Sequence, residues 1–238
     1  MAEQTHRELI EQLMRSRPHF AEAIAYLASL DTGLHGELDL SAERRRWDHE
    51  LITQLIAPGS SVLDIGCGDG ELLRKLHAEK QVRGQGVEKT AELAVQAVER
   101  GVPVIQLDVD QGLAGFPDAS FDYVVLEETL QTVGQPAKVL GEVLRIGREG
   151  IVSFPNFGNW WVRTQLLIEG RMPVTPKFPF TWHGTPNIHV LTVRDFEGWC
   201  ESAGVTVRAA YAYADGQYHE LIPADNVLAE EALFVISR

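Results

Sequence analysis

A glycine-rich turn follows the first short apolar run of strand length, and its residue types suit the binding of a small ligand. The run spans Val62–Ile65, and Gly66, Gly68 and Gly70 come after it. Glycine tolerates a positive φ and, because it has no side chain, lets a ligand approach the backbone closely. A helix that begins after the turn would point its first N–H groups at the same ligand. Such turns recur on several folds, so this one by itself predicts only a nucleotide site.

Acidic residues follow the next two apolar runs. Glu88 comes directly after Val82–Val87, and Asp108 comes directly after Val102–Leu107. In doubly wound nucleotide-binding folds, a carboxylate at the end of the second strand accepts hydrogen bonds from both ribose hydroxyls. Asp108 stands at the end of the third strand, where it would meet an adenine edge. With a fourth apolar run at Phe121–Leu126, this order predicts an adenosine site.

The acidic residues of the turn indicate which nucleotide derivative fits. A dinucleotide fingerprint needs a third glycine or alanine at position 71, where this chain has Glu71. Asp64 and Asp69 would repel a pyrophosphate, and the chain has no Gly-Lys-Ser/Thr sequence for a phosphate loop. An acidic turn instead favours a zwitterionic or cationic ligand such as S-adenosylmethionine.

The elements that must position these residues alternate along the chain from Ser61 onwards. Short apolar runs are separated by stretches of helical spacing, which predicts a parallel sheet covered by helices on both faces. Pro103 removes a ladder donor, so the third strand is expected at an edge. Val205–Tyr213 and Ala232–Ser237 are predicted as the last two strands.

The first part of the chain predicts helices rather than strands. Apolar stripes at helical spacing continue until Pro58-Gly59. We therefore expect residues 1–58 to form a helical extension or cap and residues 59–238 to form one α/β domain. A length of 238 residues with 45% hydrophobic residues suffices for one sizeable core.

The charge and the termini exclude several classes of protein. A net charge of −13 opposes generic binding to nucleic acid or anionic lipid. No run approaches the length of a membrane span, and the first residues lack the pattern of a signal peptide. Cys67 and Cys200 have no metal-ligand spacing, so we expect no metal site and reduced thiols. The expected location is the cytoplasm.

The segment 154–190 differs in composition from the rest of the chain. It holds seven of the 19 aromatic residues and five of the 11 prolines. It also carries three basic residues, Arg163, Arg171 and Lys177, against one acidic residue, Glu169. A long stretch without regular pattern is usually functional, and its aromatic content argues against disorder. We expect an irregular cover over the sheet edge that either packs alone or also forms a binding surface.

These ordered motifs resemble those of class I S-adenosylmethionine-dependent methyltransferases. The resemblance implies a Rossmann-like, doubly wound α/β sheet of seven strands with a reversed final hairpin. It also implies S-adenosylmethionine, or S-adenosylhomocysteine, as the cofactor. Glu88 would hold the ribose, whereas Asp108 and the Val109 amide would read the adenine. The implied cofactor-binding residues are Asp64, Gly66, Cys67, Gly68, Glu88, Asp108, Val109 and Leu126.

Longer strings resemble the MetW family of methionine-biosynthesis proteins. This resemblance implies a protein that acts with homoserine O-acetyltransferase, either activating it or tuning it by feedback. Members of the family are described as candidate methyltransferases. We take the aromatic segment as the expected contact surface. The strings that carry the resemblance are Asp108–Leu113, Glu128–Gln131, Leu144–Gly158, Gly170–Thr175, Thr185–His189 and Asp195–Glu197.

No motif fixes a catalytic residue. Glu127 and Glu128 follow the fourth strand, where the ligand crevice of such folds opens. Asn156, after the fifth strand, could orient a substrate or cap the following residues, and His183 could act as a base or be structural. Cys67 could be a nucleophile, but small residues in such turns usually just pack. The alternative function is a methyltransferase whose small anionic acceptor is held by Arg163 or Arg171.

Overall fold

The computed structural model of the protein describes residues 47–175 and 177–238. The helical stripes predicted before Trp47 lie outside the described residues. Within the described part, no helix is long and apolar enough to cross a membrane.

An eight-stranded sheet forms the centre of the described part. Its strand order is β3-β2-β1-β4-β5-β8-β6-β7, and pairing is parallel from β3 to β5 and antiparallel from β5 to β7. The strands are β1 (Ser61–Ile65), β2 (Arg83–Glu88), β3 (Val104–Gln106), β4 (Phe121–Leu126), β5 (Gly147–Pro155), β6 (Thr206–Ala214), β7 (Gln217–Glu220) and β8 (Glu231–Ser237).

The predicted doubly wound α/β class is confirmed, and β3 lies at an edge as Pro103 indicated. The sheet has eight strands instead of the expected seven, because Gln217–Glu220 pairs with the end of β6 as a further edge strand. That strand carries only four residues, of which three are exposed. It therefore has little of the apolar patterning that marks a strand in a sequence.

Seven helices pack around the described part of the sheet. Strand residues alternate between the two faces, so that Leu63 and Ile65 contribute to one apolar cluster and Val62 to the other. Helices α4 and α6 cover the first face, whereas α1 and α2 cover the second. The helices are α1 (Trp47–Leu55), α2 (Glu71–Lys80), α3 (Ala91–Glu99), α4 (Pro136–Ile146), α5 (Trp160–Glu169), α6 (Val193–Ala203) and α7 (Asp225–Leu228).

The helix α1 is tied to the far half of the sheet. The indole N–H of Trp47 donates to the carboxylate of Glu231 at the start of β8. The Trp47 ring stacks on Tyr213, with 5.1 Å between ring centroids. Leu51 and Ile52 are buried on the same helix. The predicted extension of residues 1–58 thus contains a helix that packs directly on the sheet.

The aromatic segment contains a helix that the sequence pattern did not predict. Asn159 caps α5, because its side-chain oxygen accepts a hydrogen bond from the Trp161 N–H at 2.9 Å. Gly170 ends the helix in a left-handed conformation. Leu166 and Leu167 are 37% and 48% exposed. The helix therefore has no clean apolar stripe, which is why its period is not visible in the sequence.

Candidate functional site

The glycine turn lies at the carboxyl edge of the sheet, between β1 and α2. Gly66, Gly68 and Gly70 have φ values of +80°, +54° and +78°. The N–H groups of Gly66 and Cys67 both donate to the carbonyl of Val87, at 2.7 and 3.1 Å. Both the left-handed conformation and the link to β2 hold the turn in one shape.

The missing side chains of Gly66 and Gly68 have different steric consequences. A Cβ at Gly66 would overlap the side chain of Thr129, which follows β4. Within residues 47–175 and 177–238, Gly68 faces open space, with no atom within 4 Å of the Cβ position. The absent side chain at Gly66 therefore makes room for the protein itself, whereas the absent side chain at Gly68 leaves room for a ligand.

Glu88 ties the turn to the end of β2. One of its carboxylate oxygens accepts from the Gly68 N–H at 3.0 Å, and the other accepts from the Thr90 N–H at 2.7 Å. The residue is only 6% exposed. A carboxylate has about four acceptor positions, so two remain for further donors such as hydroxyl groups.

The loop after β3 is organised by two aspartates. Asp108 accepts a hydrogen bond from the Asp110 N–H at 3.0 Å and so caps the short 3₁₀ turn Val109–Gln111. The carboxylate of Asp110 accepts from the N–H groups of Gly134 and Gln135, at 2.8 to 3.1 Å. This fixes the loop against the start of α4.

A cavity of about 110 Å³ lies where these elements meet. Such a volume is below the roughly 300 Å³ at which pockets for whole small ligands begin, so it can enclose only part of a nucleoside. The remainder of a ligand has the open space beside Gly68. The acidic and backbone groups present fit a ribose and an adenine edge. Residues lining the cavity include Gly66, Glu88, Asp108, Val109, Thr129 and Val133.

The structure divides the eight expected cofactor residues into two sets. Gly66, Glu88, Asp108 and Val109 line the cavity, and Gly68 is bonded to Glu88 beside it. The other three do not line it. Asp64 is 1% exposed at the end of β1, Leu126 is fully buried in the apolar cluster of α4 and α6, and Cys67 is 8% exposed.

Cys67 has a packing role. A Cβ at Gly86 would overlap the Cys67 Sγ, so the thiol occupies the space that the glycine of β2 leaves. Burial and, secondarily, the carboxylates of Asp64 and Glu88 raise the pKa of the Cys67 thiol far above its ordinary value. A thiol that stays protonated is a poor nucleophile.

Glu127, directly after β4, pairs with a histidine that sequence reasoning missed. The Nε2 of His49 on α1 lies 3.1 Å from a Glu127 carboxylate oxygen, and the side chains are 5% and 7% exposed. Asp48 brings a third potential ligand atom within 4.8 Å of these two. His49 stands in a helix before the first strand, outside every motif, so only the tertiary fold reveals the pair.

Glu128 adopts a left-handed conformation, with φ of +43°. Its N–H donates to the Ser153 hydroxyl at 3.2 Å, and its carbonyl accepts from the Gln131 side chain at 2.7 Å. Non-glycine residues in this region are strained and cluster at functional sites. The strain here shapes the turn that places Thr129 on Gly66.

The two remaining catalytic candidates, Asn156 and His183, lie in contrasting surroundings. Asn156 is fully buried, and among the described residues its side chain bonds to backbone groups: its amide donates to three carbonyls, including that of Ala229 at 2.9 Å, and its oxygen accepts from Gly158 and Val193. It therefore joins three segments, and it also lines a cavity next to α5. Its role in orienting a substrate stays a prediction. His183 is exposed and makes a ring contact with Trp182.

Comparison with known proteins identifies the family. The sequence matches the family described as Methionine biosynthesis protein MetW over residues 46–236, which is most of the chain. The chain belongs to the MetW family. The resemblance to MetW seen in the sequence is thereby confirmed.

A MetW-family relative shows how such a chain can occur in a larger protein. The "Bifunctional methionine biosynthesis protein MetXA/MetW" of Rhodopirellula baltica is 41% identical over 157 residues. The match covers 62% of this chain and 25% of that protein. The chain spans less than half the length of the curated relatives it matches.

Solved structures agree with the methyltransferase fold of this MetW-family chain. An S-adenosylmethionine-dependent methyltransferase from Thermotoga maritima has a TM-score of 0.59 at 17% identity, covering 80% of this chain and 87% of its own. A TehB-like methyltransferase from Corynebacterium glutamicum has a TM-score of 0.56 at 15% identity, covering 93% and 97%. At these identities the likeness shows the fold alone.

Proposed function

We propose that this MetW-family protein binds S-adenosylmethionine or S-adenosylhomocysteine at the glycine turn and acts with homoserine O-acetyltransferase in methionine biosynthesis. The arrangement of Glu88 carries the ligand half of this proposal. Its buried carboxylate is fixed by Gly68 and Thr90 and lines the cavity between the turn and the loop after β3. That is the position from which a carboxylate accepts ribose hydroxyls in doubly wound folds.

The charges around the turn support a ligand that carries a positive group. Asp64 and Glu88 are 1% and 6% exposed, so two carboxylates lie at the ends of β1 and β2 under the turn. Asp69, in the turn itself, forms an ion pair with Arg100. An amino group and a sulfonium suit this surrounding better than a pyrophosphate does.

The partner half rests on the fused relative and on an exposed apolar surface. The Rhodopirellula relative is named for two activities in one chain, MetXA and MetW. Tethering two proteins raises their effective concentration, which favours a pair that works together. In the described part of the aromatic segment, Phe180, Trp182, Ile188 and Val190 are 48%, 75%, 63% and 50% exposed. Exposed apolar residues of this kind are typical of interface centres.

The test is an acetylation assay of the cognate homoserine O-acetyltransferase, with and without this protein, across a titration of S-adenosylmethionine. We expect a rate that depends on this protein and changes with the ligand. A Trp182→Ala/Ile188→Ala variant should lose the effect while keeping its ligand affinity, and Val95→Ala, at an exposed position on α3, serves as the matched control. An unchanged acetylation rate together with separate elution of the two proteins would refute the partner half.

A second candidate function, catalytic methyl transfer, is favoured by the His49–Glu127 pair. A histidine held by a carboxylate is a common general base, and methyl transfer requires mainly positioning and a base near the acceptor. Arg163, which with Arg171 was expected to be one of two candidates for holding an anionic acceptor, donates to the backbone carbonyls of Gly158 and Asn226. Steady formation of S-adenosylhomocysteine with an added acceptor, lost in His49→Gln, would establish this function.

A further inference from the structure

A second and much larger cavity lies on the other half of the same sheet edge. Its volume is about 580 Å³, within the range of pockets that enclose whole small molecules. It is lined by the start of α5, the β6–β7 hairpin and the loop before β8, and it shares no lining residue with the cavity at Glu88. The proposed function leaves this cavity without a role.

Aromatic rings form part of the cavity wall. Trp160 and Trp161 both line it, and their rings are perpendicular with centroids 5.3 Å apart. Phe178 lines it as well and is 8% exposed. The face of an indole ring attracts a cation, especially where the cation has lost part of its water.

Acidic side chains outnumber basic ones in the described part of the same wall. Asp215, Asp225 and Glu230 line the cavity, against Lys177 and His219. The His219 Nε2 lies 3.1 Å from a carboxylate oxygen of Asp225, so these two groups satisfy each other. The pKa of the Glu230 carboxyl is raised, first by burial and then by the neighbouring carboxylates of Glu231 and Asp215, while Lys177 opposes this shift.

Lys177, the one lysine among the described lining residues, is already paired with groups next to the cavity. Its ammonium group forms an ion pair with Glu231 and lies 5.0 Å from the centroid of the Tyr213 ring. The ammonium group of this lining residue is thus held by a carboxylate and an aromatic ring that do not themselves line the cavity. Glu231 pairs with Lys177 and Asp225 pairs with His219, so Asp215 and Glu230 are the remaining acidic groups among the described residues of this wall. A bound cation would favour the ionised form of Glu230 and so oppose the rise in its pKa.

We propose that this cavity is a second ligand site, which binds a small organic cation, a protonated or quaternary amine, through the indole rings of Trp160 and Trp161 and the carboxylates of Glu230 and Asp215. An amine that enters the cavity loses part of its hydration shell, and contacts with the indole ring faces and the carboxylates offset that loss. The sign of the charge is opposite to that of the anionic acceptor expected from the sequence. The site goes beyond the proposed function and does not depend on it.

The test compares a cation with a neutral molecule of the same shape. Choline and 3,3-dimethylbutan-1-ol differ in one nitrogen-for-carbon replacement, and their binding to the full chain is measured by saturation-transfer NMR and by quenching of tryptophan fluorescence. We expect choline to bind about tenfold more tightly than the alcohol. Glu230→Gln and Trp160→Leu should each weaken choline binding about fivefold or more, and affinity for S-adenosylmethionine should not change.

Matched controls separate this site from general effects. Glu220→Gln lies on β7 outside the cavity, and Trp182→Ala removes an exposed indole elsewhere; both should bind choline like the parent protein. If Glu230→Gln lowers the melting temperature, Asp215→Asn tests the other carboxylate of the site, because Asp215 lines the cavity at an exposed position. Equal affinity for choline and the alcohol, no detectable choline binding, or equal losses in the control variants would overturn the proposal.

Discussion

The carboxylate of Glu88 accepts a hydrogen bond from the Gly68 N–H at 3.0 Å, so the residue that would bind ribose also holds the glycine turn. The turn is anchored twice to β2, since the Val87 carbonyl accepts from Gly66 and Cys67. Ligand affinity and turn geometry are therefore coupled through the end of one strand.

Replacing Glu88 by alanine should abolish measurable binding of S-adenosylmethionine. The change removes both acceptors for the ribose and releases the Gly68 and Thr90 N–H groups, so we expect a loss of at least about a hundredfold, on the order of 3 kcal/mol. Isothermal titration calorimetry measures it. Glu92→Gln, at an exposed position in the first turn of α3, is the control. An unchanged affinity in Glu88→Ala would remove the basis of the site assignment.

The sequence was sufficient to predict the doubly wound sheet and the shared sheet edge at which Glu88 and Asp108 lie. Those features depend on local patterns, because buried parallel strands are nearly continuous apolar runs and the carboxyl ends of such strands share one edge. Pro103 likewise indicated the edge strand, because proline has no N–H group to donate to a neighbouring strand. The short β7 and the helix α5 escaped prediction because neither buries a regular apolar face.

The functional details that the sequence did not reveal depend on contacts between distant residues. His49 and Glu127 are 78 positions apart, and no motif links them. Asn156 was predicted either to orient a substrate or to cap the following residues, and the structure adds that its amide donates to carbonyls of the 225–229 segment, about seventy residues later. The charge of the larger cavity arises from residues of four separate segments, and only the assembled fold brings them together.

Alanine at Gly66 and at Gly68 should have different effects. Gly66→Ala forces a Cβ into the Thr129 side chain, and we expect a loss of about 2 kcal/mol or more in the free energy of unfolding. Gly68→Ala meets no atom of the described residues within 4 Å and should cost only about 1 kcal/mol for its left-handed φ, while blocking the approach of the ligand. Urea unfolding and ligand titration separate these effects. Thr129→Gly should restore part of the stability of Gly66→Ala and none of the affinity of Gly68→Ala.

Neither cysteine should react with a thiol reagent while the protein is folded. Burial raises the pKa of Cys200 to about 11 and raises that of Cys67 further, so at pH 8 both thiols are almost wholly protonated. We expect a disulfide reagent to label the protein only after it unfolds in urea, and we expect both thiols to become reactive in the same unfolding transition. Rapid labelling of native Cys67, assigned by mass spectrometry of the labelled peptide, would contradict its packing against Gly86.

Glu142 should make the stability depend on pH in the acid range. Two charge-assisted hydrogen bonds from Arg145, at 2.7 and 2.8 Å, hold the pKa of the Glu142 carboxyl below its ordinary value. A group whose pKa is lower in the folded state stabilises the fold above its unfolded pKa of about 4.3, and this contribution disappears as the pH falls through the folded value. We therefore expect Glu142→Gln to cost about 1 kcal/mol at pH 7 and progressively less below about pH 4. Urea unfolding across this range measures the difference, and Glu79→Gln, at an exposed position on α2, should give no such trend. A cost for Glu142→Gln that stays constant down to pH 3 would mean that the loss comes from packing and not from the ionised pair.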